Sequence, residues 1–324
     1  MNPVKIYNDV NRFVLDWTIN SLCTYHCSYC PETLHRGVNV LKNKLEDPKI
    51  IKEFLIKLSD QLNGRSVHIF LNGGEPTISP SLETIIEFCN EKGWCLYVNT
   101  NGSRSLDWWK EYAKKIYKVT ISYHPESVDD GIFEKVEYIG TQTNVGVFTL
   151  MFPPLWSKSQ TAFERFKTFK DITLEPSRVF KREIHQSDAS YEYNTEQLTW
   201  LEANSGLGIK GAGFPPPVNN YYGENSIEFD NGHVEHLDEV EYVNNLKNIF
   251  TGWECTMGIN HILLDPYGNI RKSACNQAKV IGHIVDFKGL PEMTPEICKI
   301  KYCTCTNDVL IPKIKNEKLF IKTQ

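Results

Sequence analysis

The chain has 324 residues, 41% apolar, 12% aromatic and 23% charged, a balance that supplies core volume for a globular fold and excludes a disordered, collagenous or coiled-coil chain. Its length fits a large barrel or sheet with a smaller appendage. Thirty-five basic side chains against forty acidic ones leave a net charge of −5, so the bulk charge gives no support to nucleic acid as a partner.

The opening MNPVKIYNDVNRF carries no apolar export core, and no stretch approaches eighteen uninterrupted apolar residues. A cytoplasmic protein without membrane association is expected. Strand-like runs at 13–20, 67–72, 95–101, 118–123, 145–152 and 172–174 alternate with amphipathic helical runs at 47–62, 81–92, 105–115, 128–139 and 157–169. Several of the helical runs open on Ser, Asp or Pro in capping positions. This alternation predicts six βα units around a parallel sheet, an α/β fold. The Gly- and Pro-rich run 206–217 reads as a surface connection, which sets a boundary between domains 1–215 and 216–324. Beyond it, Asn231-Gly232 signals a hairpin, and a second turn spans Asp265 to Asn269 between strand-like runs.

In a reducing compartment, ten cysteines are expected as free thiols or metal ligands rather than disulfides. Cys23, Cys27 and Cys30 follow the first predicted strand in CTYHCSYC, a CxxxCxxC spacing. Three thiolates this close can ligate three irons of a [4Fe–4S] cluster and leave the fourth iron open, whereas a structural zinc site wants four protein ligands. A zinc knuckle completed by His26 or His35 is the competing reading. Cys89 falls on the apolar face of a helical run and Cys95 begins a strand, so both read as small buried hydrophobes.

With Tyr29 ahead of its last cysteine, this loop resembles the signature of the radical S-adenosylmethionine (radical SAM) enzymes. In that family the open iron chelates the amino and carboxylate groups of S-adenosylmethionine, and an electron from the cluster cleaves it to a 5′-deoxyadenosyl radical. Leu71-Asn72-Gly73-Gly74-Glu75-Pro76, at the end of the second strand, is similar to the family's GGEP segment. The resemblance implies a partial (β/α)6 TIM-type barrel with Gly73, Gly74, Glu75 and Pro76 at the cofactor, the glycines letting backbone approach its methionine moiety. It further implies that Asn99, Asn101, Ser122 and His124, at the ends of the third and fourth strands, contact ribose and carboxylate. Tyr29 is the candidate for the adenine. Ordinary strand-end capping is the alternative for each of these polar residues.

Five further cysteines, Cys255, Cys275, Cys298, Cys303 and Cys305, fall within 51 residues, more than one zinc needs. Gly252-Trp253-Glu254-Cys255, a turn bearing Gly268 and then Cys275 resemble the opening of the SPASM extension or its shortened form, twitch. A full SPASM extension has seven cysteines and two clusters. Five therefore imply one auxiliary [4Fe–4S] cluster in a small C-terminal α+β iron–sulfur domain, with Cys255, Cys275, Cys303 and Cys305 favoured as ligands and Cys298 substituting for one or free. A zinc ribbon from the same residues is the alternative.

Taken together, the resemblance implies an oxidoreductase- or epimerase-type enzyme, supplied by an external electron donor such as flavodoxin or ferredoxin, that abstracts hydrogen from a small polar substrate for dehydrogenation or epimerisation. A sugar, an amino acid derivative or a nucleoside would fit. A ribosomal peptide is the second substrate class, set behind because the first strand is reached by residue 13, leaving no room in front for a leader-peptide-binding domain. A non-catalytic zinc-binding interaction protein is the reading from a different class.

Overall fold

The computed structural model describes residues 1–8, 11–30, 47–179, 191–205, 225–237, 242, 246–303 and 306–315. His35, Cys305, the connection at 206–217 and the domain boundary at 215/216 lie outside the described residues. In chain order the strands are β1 (Pro3–Asn8), β2 (Arg12–Asn20), β3 (Ser66–Gly73), β4 (Cys95–Thr100), β5 (Lys118–Tyr123), β6 (Asn144–Leu150) and β7 (Ile172–Ser177). They continue as β8 (Asn225–Phe229), β9 (Val234–His236), β10 (Trp253–Cys255), β11 (His261–Leu264), β12 (Asn269–Arg271), β13 (Val280–His283), β14 (Glu296–Ile297) and β15 (Lys313–Lys315). The helices are α1 (Pro48–Gln61), α2 (Leu82–Lys92), α3 (Leu106–Tyr112), α4 (Gly131–Gly140), α5 (Trp156–Phe166), α6 (Thr195–Asn204) and the single turn α7 (Thr306–Val309).

Two compact units divide the chain, one made of Thr18–Lys52 and Phe70–Val218, the other of Met1–Trp17, Glu53–Ile69 and Asn219–Gln324. Strands β2 and β3 run through the boundary. The first unit is a mixed α/β structure with strand order β2-β3-β4-β5-β6-β7, in which β4 through β7 pair in parallel. That arrangement is consistent with a partial barrel. Alternation along β5 shows how it is built: Val119, Ile121 and Tyr123 are buried, while Lys118, Thr120 and Ser122 are part-exposed. Tyr123 packs on Phe133 of α4 and Phe166 of α5, with ring centroids 6.3 and 5.7 Å away. The face opposite these helices therefore carries Thr120 and Ser122, with Asn99 of β4 beside Thr120 and Phe148 of β6 beside Ser122.

Several element ends differ from the expected ones for local reasons. The helical run from 128 starts at Gly131, because Ser127 and Val128 turn back to the His124 carbonyl. The run from 105 tightens into a 3-10 turn at Ala113–Lys115. Strand β6 stops at Leu150, where Met151 bonds the Ser177 carbonyl and Pro153 begins a turn. Cys89 and Cys95 are buried, and α6 was not anticipated.

The second unit contains the strand order β14-β10-β15-β1-β8-β9, antiparallel throughout. Its core gathers Ile6, Ile227, Leu237, Phe250, Trp253, Cys303 and Val309. The chain thus reaches its first strand at residue 3 rather than 13, and that strand pairs with segments more than two hundred residues away. The Asn231-Gly232 hairpin joins β8 to β9, with Gly232 at φ +79°. The other turn joins β11 to β12, where Asp265 Oδ1 accepts from the amides of Tyr267 (3.0 Å) and Asn269 (2.9 Å). Among the described residues no helix is long and apolar enough to cross a membrane.

Candidate functional site

Everything in the first unit's site starts from Asn20, the buried last residue of β2. Its carbonyl accepts from the Gly74 amide (3.1 Å), its Oδ1 accepts from the Leu22 amide (3.1 Å), and its Nδ2 donates to the Glu75 carbonyl (3.1 Å). The Glu75 amide in turn donates to the Leu22 carbonyl (2.6 Å). These bonds zip the start of the cysteine loop to the end of β3. The fit requires Gly73: a Cβ there would sit 2.4 Å from the Asn20 carbonyl oxygen, and its φ is +150°.

Glu75 lies beneath the loop and is fully buried. Its Oε1 accepts from the amide (2.9 Å) and hydroxyl (2.6 Å) of Thr77 and from the Thr100 hydroxyl (2.7 Å), and its Oε2 accepts from the Asn101 amide (2.6 Å). Burial pushes its pKa up, opposed by those four donors. Glu75 is thus a brace between the ends of β3 and β4, with both carboxylate oxygens committed to the chain. Pro76 is buried as the first residue of a 3-10 turn over Pro76–Ile78.

From this platform the cysteine sulfurs are reached by two different strand ends. Cys23 Sγ accepts from the Tyr25 amide (3.4 Å) and faces Asn101 Nδ2 at 3.6 Å. Asn101 also donates to Thr24 Oγ1 (3.0 Å) and accepts from the Ser103 amide (2.9 Å). Burial raises the Cys23 pKa, and the Tyr25 amide and the Asn101 side chain oppose it. After β5, the segment 124–127 lies against Cys27, whose Sγ is 3.5 Å from His124 Nδ1 and 3.6 Å from Ser127 Oγ. Tyr29 Oη also lies 3.1 Å from His124 Nδ1, and the two rings stack at 7°. Burial holds the imidazole neutral, with its pKa lowered to about 4, and raises the Tyr29 hydroxyl. Glu126 caps the loop by accepting from the amide (2.6 Å) and hydroxyl (2.7 Å) of Ser28. Phe152 and Val179 close over Cys27 and Tyr29.

The structure therefore assembles Cys23, Cys27, Cys30, Tyr29, Gly73, Gly74, Glu75, Asn101 and His124 in one place. Asn99 donates to Asn72 Oδ1, and Ser122 stands further round the same sheet face. Asn20, Thr24, Thr100, Glu126 and Ser127 were not anticipated. Of these, Asn20 carried a signal, being a polar residue that ends an apolar strand directly ahead of the loop. Among the described residues no three or more His, Cys, Asp and Glu side chains group to hold a single metal ion. A cubane takes each thiolate at a different iron, so three thiols on one loop could ligate three of its four irons.

In the second unit, Cys255 on β10, Cys275, Cys298 and Cys303 border one pocket. Met257, Ile300, Ile311 and Lys313 complete much of its wall. Burial raises the pKa of Cys255 and Cys298 and pushes Cys303 up to about 12. Four thiols around one pocket are the donor number of a thiolate-bound cluster.

Residues 17–144 match the family model of the radical SAM superfamily, a segment holding the cysteine loop, Gly73-Gly74 and the ends of β4 and β5. A curated protein of Thermococcus kodakarensis named as a probable GTP 3′,8-cyclase is 30% identical over 133 residues, 36% of this chain and 41% of that protein. The chain thus matches less than half the length of that relative. Among solved structures, native anSMEcpe with bound AdoMet is 16% identical with a TM-score of 0.47, over 85% of this chain and 78% of that one. Streptococcus suis SuiB is 16% identical with a TM-score of 0.49, over 87% and 65% respectively. The family match covers less than half of the chain and supports the radical SAM superfamily for residues 17–144.

Proposed function

We propose that this chain is a radical SAM enzyme of oxidoreductase or epimerase type that acts on a small polar substrate, with Cys23, Cys27 and Cys30 as the protein ligands of its catalytic cluster. The observation that carries this reading is the joint placement of the CxxxCxxC loop, Gly73-Gly74 and the ends of β4 and β5 inside the segment matching the superfamily. When bound, the cluster supplies the electron that splits S-adenosylmethionine and so yields the carbon radical that takes hydrogen from substrate. The chain's own groups position the ligands: Asn20 and Glu75 fix the loop, while Asn101 and the Tyr25 amide stabilise the Cys23 sulfur as an anion. Tyr29, Phe152 and Val179 shield the Cys27 side from water.

The sheet face opposite the helices supports this substrate class. Asn72, Asn99, Thr120 and Ser122 offer donors and acceptors there, next to Phe148, which is 42% exposed. Such a face suits hydroxyls, amides and a ring, as in a sugar, an amino acid derivative or a nucleoside. The relative named for GTP belongs to that class. An external one-electron donor such as flavodoxin or ferredoxin would complete the reaction. One auxiliary [4Fe–4S] cluster, on four of Cys255, Cys275, Cys298, Cys303 and Cys305 in a twitch-like domain, belongs to the same proposal, supported by the four thiols around one pocket.

Anaerobically purified protein should be brown and hold about eight irons and eight sulfides per chain, the content of two [4Fe–4S] clusters. With dithionite and S-adenosylmethionine it should form 5′-deoxyadenosine, measured by mass spectrometry, and Cys27→Ala should abolish that product. Undiminished product from Cys27→Ala, or a colourless zinc protein, would overturn the proposal.

A further inference from the structure

Strand β5 leads into a turn, His124-Pro125-Glu126-Ser127, that meets the cysteine loop through the side chains of His124, Glu126 and Ser127. The shape of the turn does not depend on the imidazole or the Ser127 hydroxyl. The amides of Ser127 (3.1 Å) and Val128 (3.0 Å) donate to the His124 carbonyl. The Lys158 ammonium of α5 donates to the Pro125 carbonyl (2.6 Å), and Glu126 holds Ser28. The two groups left over converge on one sulfur. Cys27 is 4% exposed, and its Sγ has His124 Nδ1 at 3.5 Å and Ser127 Oγ at 3.6 Å. As an iron ligand Cys27 is a thiolate, which accepts hydrogen bonds and donates none. That requirement selects the imidazole tautomer with its hydrogen on Nδ1 and turns the Ser127 hydroxyl toward the sulfur. Aromatic packing fixes the direction of the ring, which stacks on Tyr29 with centroids 6.0 Å apart and makes a T-shaped contact with Tyr25 at 5.9 Å. Hydrogen bonds to ligating sulfurs are one of the levers that set the potential of an iron–sulfur cluster. They strengthen as negative charge on sulfur grows, so donors at this point favour the reduced form.

We propose that His124 and Ser127 are positioning residues that act through Cys27, donating to its sulfur and so raising the reduction potential of the catalytic cluster. The inference rests on the radical SAM reading above. A His124 kept only for packing would need its ring and not its Nδ1 hydrogen. A Ser127 kept only for the turn would need its amide and not its hydroxyl, so the two kinds of role are separable.

The test uses the full chain after anaerobic reconstitution, with iron and sulfide content measured first. Redox titration followed by electron paramagnetic resonance gives the midpoint, and the reduced signal that changes when S-adenosylmethionine is added to the parent identifies the cluster with the open iron. The variants are His124→Phe, which keeps an aromatic ring without the nitrogen, His124→Asn, whose amide returns a donor near the place of Nδ1, and Ser127→Ala. His124→Phe should lower the reduced-to-oxidised ratio at a fixed potential about tenfold, a midpoint more negative by about 59 mV for one electron. Ser127→Ala should lower it about threefold, and His124→Asn should stay within about twofold of the parent. A parental midpoint in loaded His124→Phe or in loaded Ser127→Ala would overturn the inference, as would a fall in His124→Asn as large as in His124→Phe. If His124→Phe holds no iron, the Ser127→Ala midpoint decides alone; loss of iron from both would also overturn the inference, because both groups would then be structural. A parent without a signal sensitive to S-adenosylmethionine would overturn the radical SAM reading itself, before the turn is at issue.

Discussion

Gly73→Ala tests the way the cysteine loop is held. The added carbon would lie 2.4 Å from the Asn20 carbonyl oxygen and 3.3 and 3.4 Å from its nitrogen and carbonyl carbon. The obstacle is main chain, and it is pinned from three sides by Gly74, Leu22 and Glu75, so relief must displace the entry to the loop. Overpacking of this kind costs about 1–3 kcal/mol, and an alanine at φ +150° adds about 1–3 kcal/mol of backbone strain. Loss of the Asn20–Gly74 hydrogen bond adds about 1 kcal/mol. The expected destabilisation is therefore about 3–7 kcal/mol, with reduced iron retention at Cys23, Cys27 and Cys30. Gly93→Ala is the control within the same unit: φ is +66°, but nothing lies within 4 Å of its would-be Cβ, so only about 1–2 kcal/mol of left-handed strain is expected. Urea denaturation of the two variants and of the parent gives the comparison, with iron content measured on the same preparations. Equal losses in Gly73→Ala and Gly93→Ala would refute the claim that the entry to the loop is seated against Gly73 at the end of β3.

Glu75→Gln replaces an acceptor-only group with one that carries its own N–H donors, in a cage of four donors; a loss of about 1–3 kcal/mol is expected in the same denaturation assay, and a change under about 0.5 kcal/mol would rule out the brace. His261 is buried, and burial, with the Lys313 and Arg12 charges adding to it, lowers its pKa to about 3 from an ordinary 6.5. Below pH 6.5 the unfolded chain takes up a proton that the folded chain refuses, so this contribution is complete above pH 6.5 and falls by about 1.4 kcal/mol per pH unit toward pH 3. Denaturation midpoints at pH 7, 6, 5 and 4 should drop more steeply in the parent than in His261→Gln, and parallel curves would contradict the assignment.

Where side-chain burial is decided locally, the sequence announces it. Strands β2 to β6 and helices α1 to α5 carry their apolar alternation in plain view, and β5 falls on the expected residues, 118–123. Strand β1 gave no such notice: with a single buried residue, Ile6, its existence depends on β8 and β15 at the other end of the chain. Helix α6 lacks a clear apolar face, yet it was findable, since Asn194 and Gln197 form a capping box whose spacing is visible in NTEQ.

The candidate site divides along the same line. Clustered cysteines and paired glycines are conspicuous because few other residues can replace them, so CxxxCxxC and Gly73-Gly74 were readable. Glu75 was legible as part of a motif but not as a brace, because its partners Thr100 and Asn101 arrive from the next strand. Lys313 left no trace: in a short run of Ile-Pro-Lys-Ile-Lys a lysine reads as solvated, whereas here Ile314 faces out at 48% exposure and Lys313 faces in. A one-residue shift of register would exchange the two, placing isoleucine beside the thiols and the ammonium in water. The pairing Lys5↔Ile314 and Ile6↔Lys313 prevents that shift, so the charge next to the cysteines depends on a strand contributed from the opposite end of the chain.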